Sequence, residues 1–282
     1  MPFDPYAFDH AALADTLLGA VLEAGRIEMR HYATDFAVET KADQSPVTVA
    51  DREAEVVLVA AIAAAAPGVT IVAEEAAADG HVPEAPDAFF LVDPLDGTRE
   101  FIDRNGEFTV NVALVVAGVP VFGIVYAPAL GDLYVTLGPD RSATASVQPT
   151  TTIMRLAELD LRDIRTRAPD PQRLTAVASR SHMSAEGEAW MARWPIAARR
   201  DAGSSLKFCL IAKGEADLYP RLGPTMEWDT AAGDAILRAA GGIVTTADGV
   251  ALRYGKYDGA YRNPHFFAWG TAGALPEPTT DR

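Results

Sequence analysis

The hexapeptide Asp93-Pro94-Leu95-Asp96-Gly97-Thr98 holds two carboxylates three residues apart on a turn stiffened by proline. Carboxylates so placed can converge on a hard cation such as magnesium, which prefers oxygen donors. Gly97 lets a ligand approach the backbone closely. If a helix begins here, the N–H groups of Gly97 and Thr98 offer a seat for phosphate. The same residues also suit an ordinary Asp/Gly turn with an Asp or Thr helix cap. Two further acidic segments bear on that choice. Glu74-Glu75 follows a short apolar run, so a carboxylate there can point at the same place. Asp229, within Trp228-Asp229-Thr230-Ala231-Ala232-Gly233, opens a helical segment, where an acid is commonly a cap or dipole partner.

The elements that must position these acids can be read from hydrophobic period. Leu13, Leu17, Val21 and Ile27 recur at helical spacing within residues 8–32, and a second helix over 48–66 stops at Pro67-Gly68. Val69–Ala73 and Phe89–Val92 are short apolar runs with strand character, and they deliver Glu74 and Asp93 at their ends. Residues 108–116, 121–126 and 133–137 form an antiparallel meander separated by Gly118-Val119-Pro120 and Pro128–Asp132. Residues 138–172 are polar, rich in proline and irregular, and mark the seam between two halves. The second half alternates: strand 174–178, helices 184–191 and 204–213, strand 216–219, helix 228–240 and strand 243–246. The expected division is therefore 1–138, a metal-binding half of helices and antiparallel sheet, and 139–282, an α/β half, with the site at their junction.

Composition excludes several function classes. The 282 residues are 49% hydrophobic, ample for a large core, yet contain no run long and apolar enough to span a bilayer. The first five residues carry acid where a secretory signal carries base, and Cys209 is the single cysteine. A cytoplasmic protein, monomeric or homodimeric, is expected, with contact to a membrane surface left open. The formal net charge of −15 repels nucleic-acid backbones. It still permits a small anionic ligand, because bound cations invert the local field.

Glu74-Glu75, the hexapeptide at 93–98 and the segment 228–233, in this order, resemble the three signatures of the inositol monophosphatase superfamily of magnesium-dependent, lithium-sensitive phosphatases. The resemblance runs from about Ala12 to Trp269 and implies an α/β fold, a layered α/β/α/β/α sandwich. It implies that Glu74, Asp93 and the backbone carbonyl of Leu95 hold a first magnesium ion, and that Asp93, Asp96 and Asp229 hold a second. A third, weaker ion is implied near Glu74. Thr98 and Asp51 are implied as the pair that orients the attacking water, with Glu74 also able to take its proton. Read from the residues alone, Asp51 is equally a capping-box partner of Thr48. No histidine or cysteine sits in these motifs, so direct in-line displacement without a phosphoenzyme is expected. Glu75 is expected to be structural.

The flanking residues narrow the resemblance. Arg99-Glu100-Phe101-Ile102, residues 105–111, Ser179-Arg180-Ser181-His182, residues 203–209 and residues 219–225 resemble the CysQ branch, the 3′(2′),5′-bisphosphate nucleotidases. The Asp-Gly-Thr-Thr-Asn-Phe common in inositol monophosphatases is not present. The implied substrate is adenosine 3′,5′-bisphosphate or its sulfated analogue, cleaved to a 5′-nucleotide and phosphate. Gly97, His182, Ser204, Lys207 and Arg221 join the acids as implied substrate contacts. A second phosphate, beyond reach of the metals, needs cationic partners, and Lys207 and Arg221 are suitable. Each has a plainer reading: Ser204 as an N-cap, Lys207 as a solvated helix residue, His182 as a loop residue. The alternatives are an inositol or sugar phosphatase of the same superfamily and, from another class, a non-catalytic nucleotide-binding relative.

Overall fold

The computed structural model describes residues 3–34, 38–40, 46–179 and 185–271. The first helix, α1 (His10–Tyr32), opens at Asp9, whose side chain accepts from the N–H groups of Ala11 and Ala12. These are donors that a helix start otherwise leaves unpaired. A hairpin of β1 (Val38–Thr40) and β2 (Pro46–Thr48) leads into α2 (Val49–Ala65). Both helices follow the predicted period. Next come β3 (Thr70–Ala73), the single turn α3 (Glu74–Ala78), β4 (Ala88–Asp96) and the single turn α4 (Thr98–Ile102). The meander follows as β5 (Thr109–Val116), β6 (Val119–Ala127) and β7 (Asp132–Gly138).

Residues 138–172 differ from the irregular stretch expected. β8 (Arg141–Ser146) and β9 (Arg162–Ile164) pair antiparallel onto β7, so the sheet continues to the order β3-β4-β5-β6-β7-β8-β9. β8 is built from Ser, Ala and Thr rather than large apolar residues, and β9 is only three residues long. Neither carries the apolar alternation by which a strand is recognised.

The remaining elements are β10 (Leu174–Ser179), α5 (Ala185–Met191), β11 (Ile196–Ala202), α6 (Leu206–Ala212), β12 (Leu218–Arg221), α7 (Ala231–Ala239), β13 (Ile243–Thr246) and β14 (Phe266–Trp269). Their sheet has the order β11-β10-β12-β14-β13. β11 and β14 are additions to the expected pattern. β11 is an edge strand whose Ala-Arg-Arg-Asp stretch is exposed, and β14 is a continuous apolar run, buried throughout.

Packing stacks these pieces in five layers. α1 and α2 cover one face of the seven-stranded sheet, over Phe90, Val92, Val110, Val112 and Leu114. The opposite face, with Phe89, Leu91, Ala113 and Val115, meets α6 and α7, which lie against the inner face of the five-stranded sheet. Trp190 and Met191 pack on its outer face beside Leu174, Leu218 and Trp269. The result is the α/β/α/β/α sandwich. The middle helix layer fits closely. A Cβ added at Gly123 of β6 would lie 2.4 Å from the carbonyl oxygen of Ala232 in α7. No helix among the described residues is long and apolar enough to cross a membrane.

Candidate active site

Residues an odd number apart on a strand point to opposite faces, so Asp93 and Asp96 should diverge. Asp93 pairs with Asn111 and Asp96 with Thr109, so three steps along β4 match two along β5. The extra residue is a bulge at Pro94-Leu95, where proline's missing N–H does little harm, and it returns Asp96 to the face of Asp93. That face carries Phe89 and Leu91 towards the middle helix layer. Asp229 reaches the same place from the turn before α7, its Oδ2 accepting from the N–H of Met226 at 2.8 Å. Asp93, Asp96 and Asp229 each present a carboxylate oxygen within 4.8 Å of the others.

Glu74 joins them from the first residue of α3. Glu55 of α2 fixes that turn by accepting the N–H groups of Glu75 and Ala76 at 2.7 and 2.9 Å. Buried Glu75 thus belongs to the support of the site. Glu74 hydrogen-bonds with Asp93. Burial, then the charges of Glu74, Asp96 and Asp229, hold the Asp93 carboxyl well above the usual range. Burial, then Asp96 and Glu74, does the same to Asp229. Burial also raises Asp96, while Lys207 and the Ser204 hydroxyl pull it back.

The fourth corner is made by Asp51 and Thr98. Gly97 precedes α4 at φ 92°, a conformation that suits glycine, and so starts a helical turn directly from the bulged strand. Thr98 Oγ1 lies 3.4 Å from both Asp51 Oδ1 and the Leu95 carbonyl. The other Asp51 oxygen accepts from the Thr48 N–H at 2.8 Å and the Thr48 hydroxyl at 2.6 Å. Asp51 is therefore a capping-box residue that also lies beside Thr98.

The nucleotide-contact expectations divide. His182 lies outside the described residues. Ser204 Oγ donates to Asp96 Oδ2 at 2.5 Å and also contacts the Thr109 hydroxyl, so it lies against the acids. Ser205, one residue on, takes the position preceding α6 and donates to the Asp229 carbonyl at 2.8 Å. Lys207 is buried, with Nζ 5.4 Å from the Tyr219 ring centroid. Burial, with the charge of Arg221, lowers its pKa to about 8 against the pull of Asp96. Arg221 donates from Nη2 to the Pro224 carbonyl at 2.8 Å, while its buried Nε has no hydrogen-bond partner among the described residues. The solvated-helix reading of Lys207 is overturned by its burial.

Sequence reasoning missed the framework behind these groups. Asn111 Nδ2 donates to Asp96 Oδ2 at 3.3 Å and to Ser205 Oγ at 3.0 Å. Its signal was a polar residue inside the valine-rich strand Thr109–Val116, two positions from Thr109 and so on the same face. Gly203 closes the junction. Its N–H donates to Glu107 Oε2 at 2.9 Å, and an added Cβ would lie 2.6 Å from the Glu107 carbonyl oxygen.

The acids fit a divalent cation. They are hard oxygen donors, crowded and largely desolvated, and they push one another towards protonation. Fold and site together define a layered sandwich with a cluster of carboxylates suited to a metal ion. The chain belongs to the inositol monophosphatase family, whose model matches residues 9–277. That family is generally magnesium-dependent, in keeping with the cluster of Asp93, Asp96 and Asp229. The chain is 38% identical to the 3′(2′),5′-bisphosphate nucleotidase CysQ of Escherichia coli O157:H7, over 90% of this chain and 98% of that protein. It is 41% identical to its counterpart in Escherichia coli K12, over 81% and 87%. Among solved structures, CysQ from Bacteroides thetaiotaomicron superposes with a TM-score of 0.76 at 38% identity, covering 92% of this chain and 97% of that one. An inositol monophosphatase from Anabaena shares the fold, with a TM-score of 0.68 at 22% identity over 93% and 91%.

Proposed function

We propose that the chain is a 3′(2′),5′-bisphosphate nucleotidase that hydrolyses adenosine 3′,5′-bisphosphate to AMP and phosphate. The observation that carries this reading is the pair Lys207 and Arg221, close enough to influence each other electrostatically and set beside Asp96 and Asp229. The acids thus suit a metal site for the phosphate that is cleaved, and the two cations beside them suit one that is kept. The CysQ relatives support it.

Glu74, Asp93, the Leu95 carbonyl, Asp96 and Asp229 would hold two magnesium ions, with a third near Glu74. Magnesium, when bound, supplies the positive charge that neutralises the phosphate and acidifies water. The rest is done by the chain. Thr48 fixes one oxygen of Asp51, so the other is set to accept from Thr98. The Thr98 hydroxyl, donating to Asp51, turns its lone pairs outward and holds a water in line with the ester bond. Asn111 and Ser204 hold Asp96 in its rotamer. Gly97 leaves its N–H accessible to a phosphate oxygen.

Phosphate release would be measured on adenosine 3′,5′-bisphosphate, its sulfated analogue, inositol 1-phosphate and fructose 1,6-bisphosphate. The adenosine bisphosphate is expected to have the highest kcat/KM. Preference for inositol 1-phosphate would overturn the reading.

A further inference from the structure

Glu28 has no part in the site as described, yet it stands behind it. α1 lies directly on Tyr126 of β6: a Cβ added at Gly25 would sit 2.5 Å from a ring carbon. Glu28, three residues on, shares that inward face. It is fully buried, and neither carboxyl oxygen has a hydrogen-bond partner among the described residues. A carboxyl so placed forfeits solvation without compensation, where a leucine would pack at no such cost.

The charged and titratable groups around it are few. Asp51, buried in the first turn of α2, bears on it by charge, and their neighbours Met29 and Ala50 pack in one cluster. Tyr126 faces it from β6, with its hydroxyl donated to the Val147 carbonyl at 2.9 Å. On its own helix Arg26 bears on Tyr126, but pairs with Glu23 at 2.7 Å. None of these gives Glu28 a counter-ion, so its place favours the protonated form. Burial first, then the charge of Asp51, hold it well above the ordinary carboxylate range.

We propose that Glu28 is a positioning residue that acts through Asp51. As a neutral acid it leaves the negative charge on Asp51, where it orients Thr98. As a carboxylate it opposes that charge from its buried place and loosens the pair. Glu28 thereby sets an alkaline limit on turnover. The inference rests on the reading of Asp51 and Thr98 as the water-orienting pair.

The test is the pH dependence of kcat and KM at saturating magnesium for the parent enzyme, Glu28→Gln, Glu28→Met and Thr98→Ala. The parent kcat is expected to fall on the alkaline side by about tenfold per pH unit, as for a single ionising group, with KM steady. Glu28→Gln carries no titrating proton and should flatten that limb. Glu28→Met gives the same reading if the glutamine variant folds poorly. A merely structural role would change activity by one factor at every pH and leave the limb in place. An unchanged limb in a folded Glu28 variant, with Thr98→Ala still crippled, overturns this inference and leaves the catalytic pair standing. Full turnover in Thr98→Ala removes both.

Discussion

Thr98 is the smallest group on which the proposed chemistry depends. Its hydroxyl touches Asp51 and the Leu95 carbonyl. Thr98→Ala should therefore lower kcat on the order of 10²-fold while KM moves little, as for a group that places water. Steady-state kinetics check this, and a rise in KM alone would contradict it. Lys207 makes the opposite kind of contribution. Losing a charged phosphate partner in a buried site costs about 1.5–3 kcal/mol, roughly ten- to a hundredfold. Lys207→Ala should impose that loss on the bisphosphate and spare a monophosphate that lacks the second group. Equal losses on both would place Lys207 elsewhere in the mechanism. These residues were legible because their side chains announce chemistry at separated motifs. Asn111, Ser205 and Glu55 were not, because an amide in a strand, a serine before a helix and a glutamate in a helix each have an ordinary local use. Only the folded chain shows them turned on Asp96, Asp229 and α3.

At the scale of elements, hydrophobic period located α1, α2 and the meander, where burial repeats over two turns or more. It failed on β8, β9 and β11, whose sheet positions come from pairing rather than from apolar side chains. It also says nothing of Glu28, a charged residue on the buried face of a helix whose other inward positions are apolar. That residue gives α1 a pH signature. Folded, Glu28 holds its proton well above the ordinary value of 4.5, whereas the unfolded chain releases it near that value. The folded state thus binds more protons within that interval, and stability falls as pH rises, by about 1.4 kcal/mol per pH unit. The loss begins near 4.5 and ends at the folded value. Glu28→Gln does not incur it. Its Tm relative to the parent should climb with pH from the acid side of that window, as thermal melts at several pH values would show. A difference that stays constant with pH would mean that Glu28 ionises freely.

At the scale of the whole molecule, the site draws on both sheets and on the helices between and outside them. Asp93 and Asp96 come from the seven-stranded sheet, Asp229 from the turn before α7, and Asp51 from α2. A cation held among the acids binds the folded chain and not the unfolded one. Magnesium at a hundred times its Kd should therefore add about 2.7 kcal/mol of stability. Melts with and without magnesium check this, and Asp93→Asn should blunt the rise. Activity should vanish in chelator and fall in millimolar lithium, and full turnover in excess EDTA would refute a metal centre. The bulge at Pro94-Leu95 has a consequence for how such a chain can change over generations. Side chains there can be exchanged and the strand still delivers two acids to one face. Were the three-residue spacing kept but the bulge flattened into a regular ladder, Asp96 would turn towards Val92 and Val110, into the apolar layer under α1 and α2. The lineage is then free to drift in spelling at this point only while the kink survives, because a straightened strand exiles a carboxylate into oil.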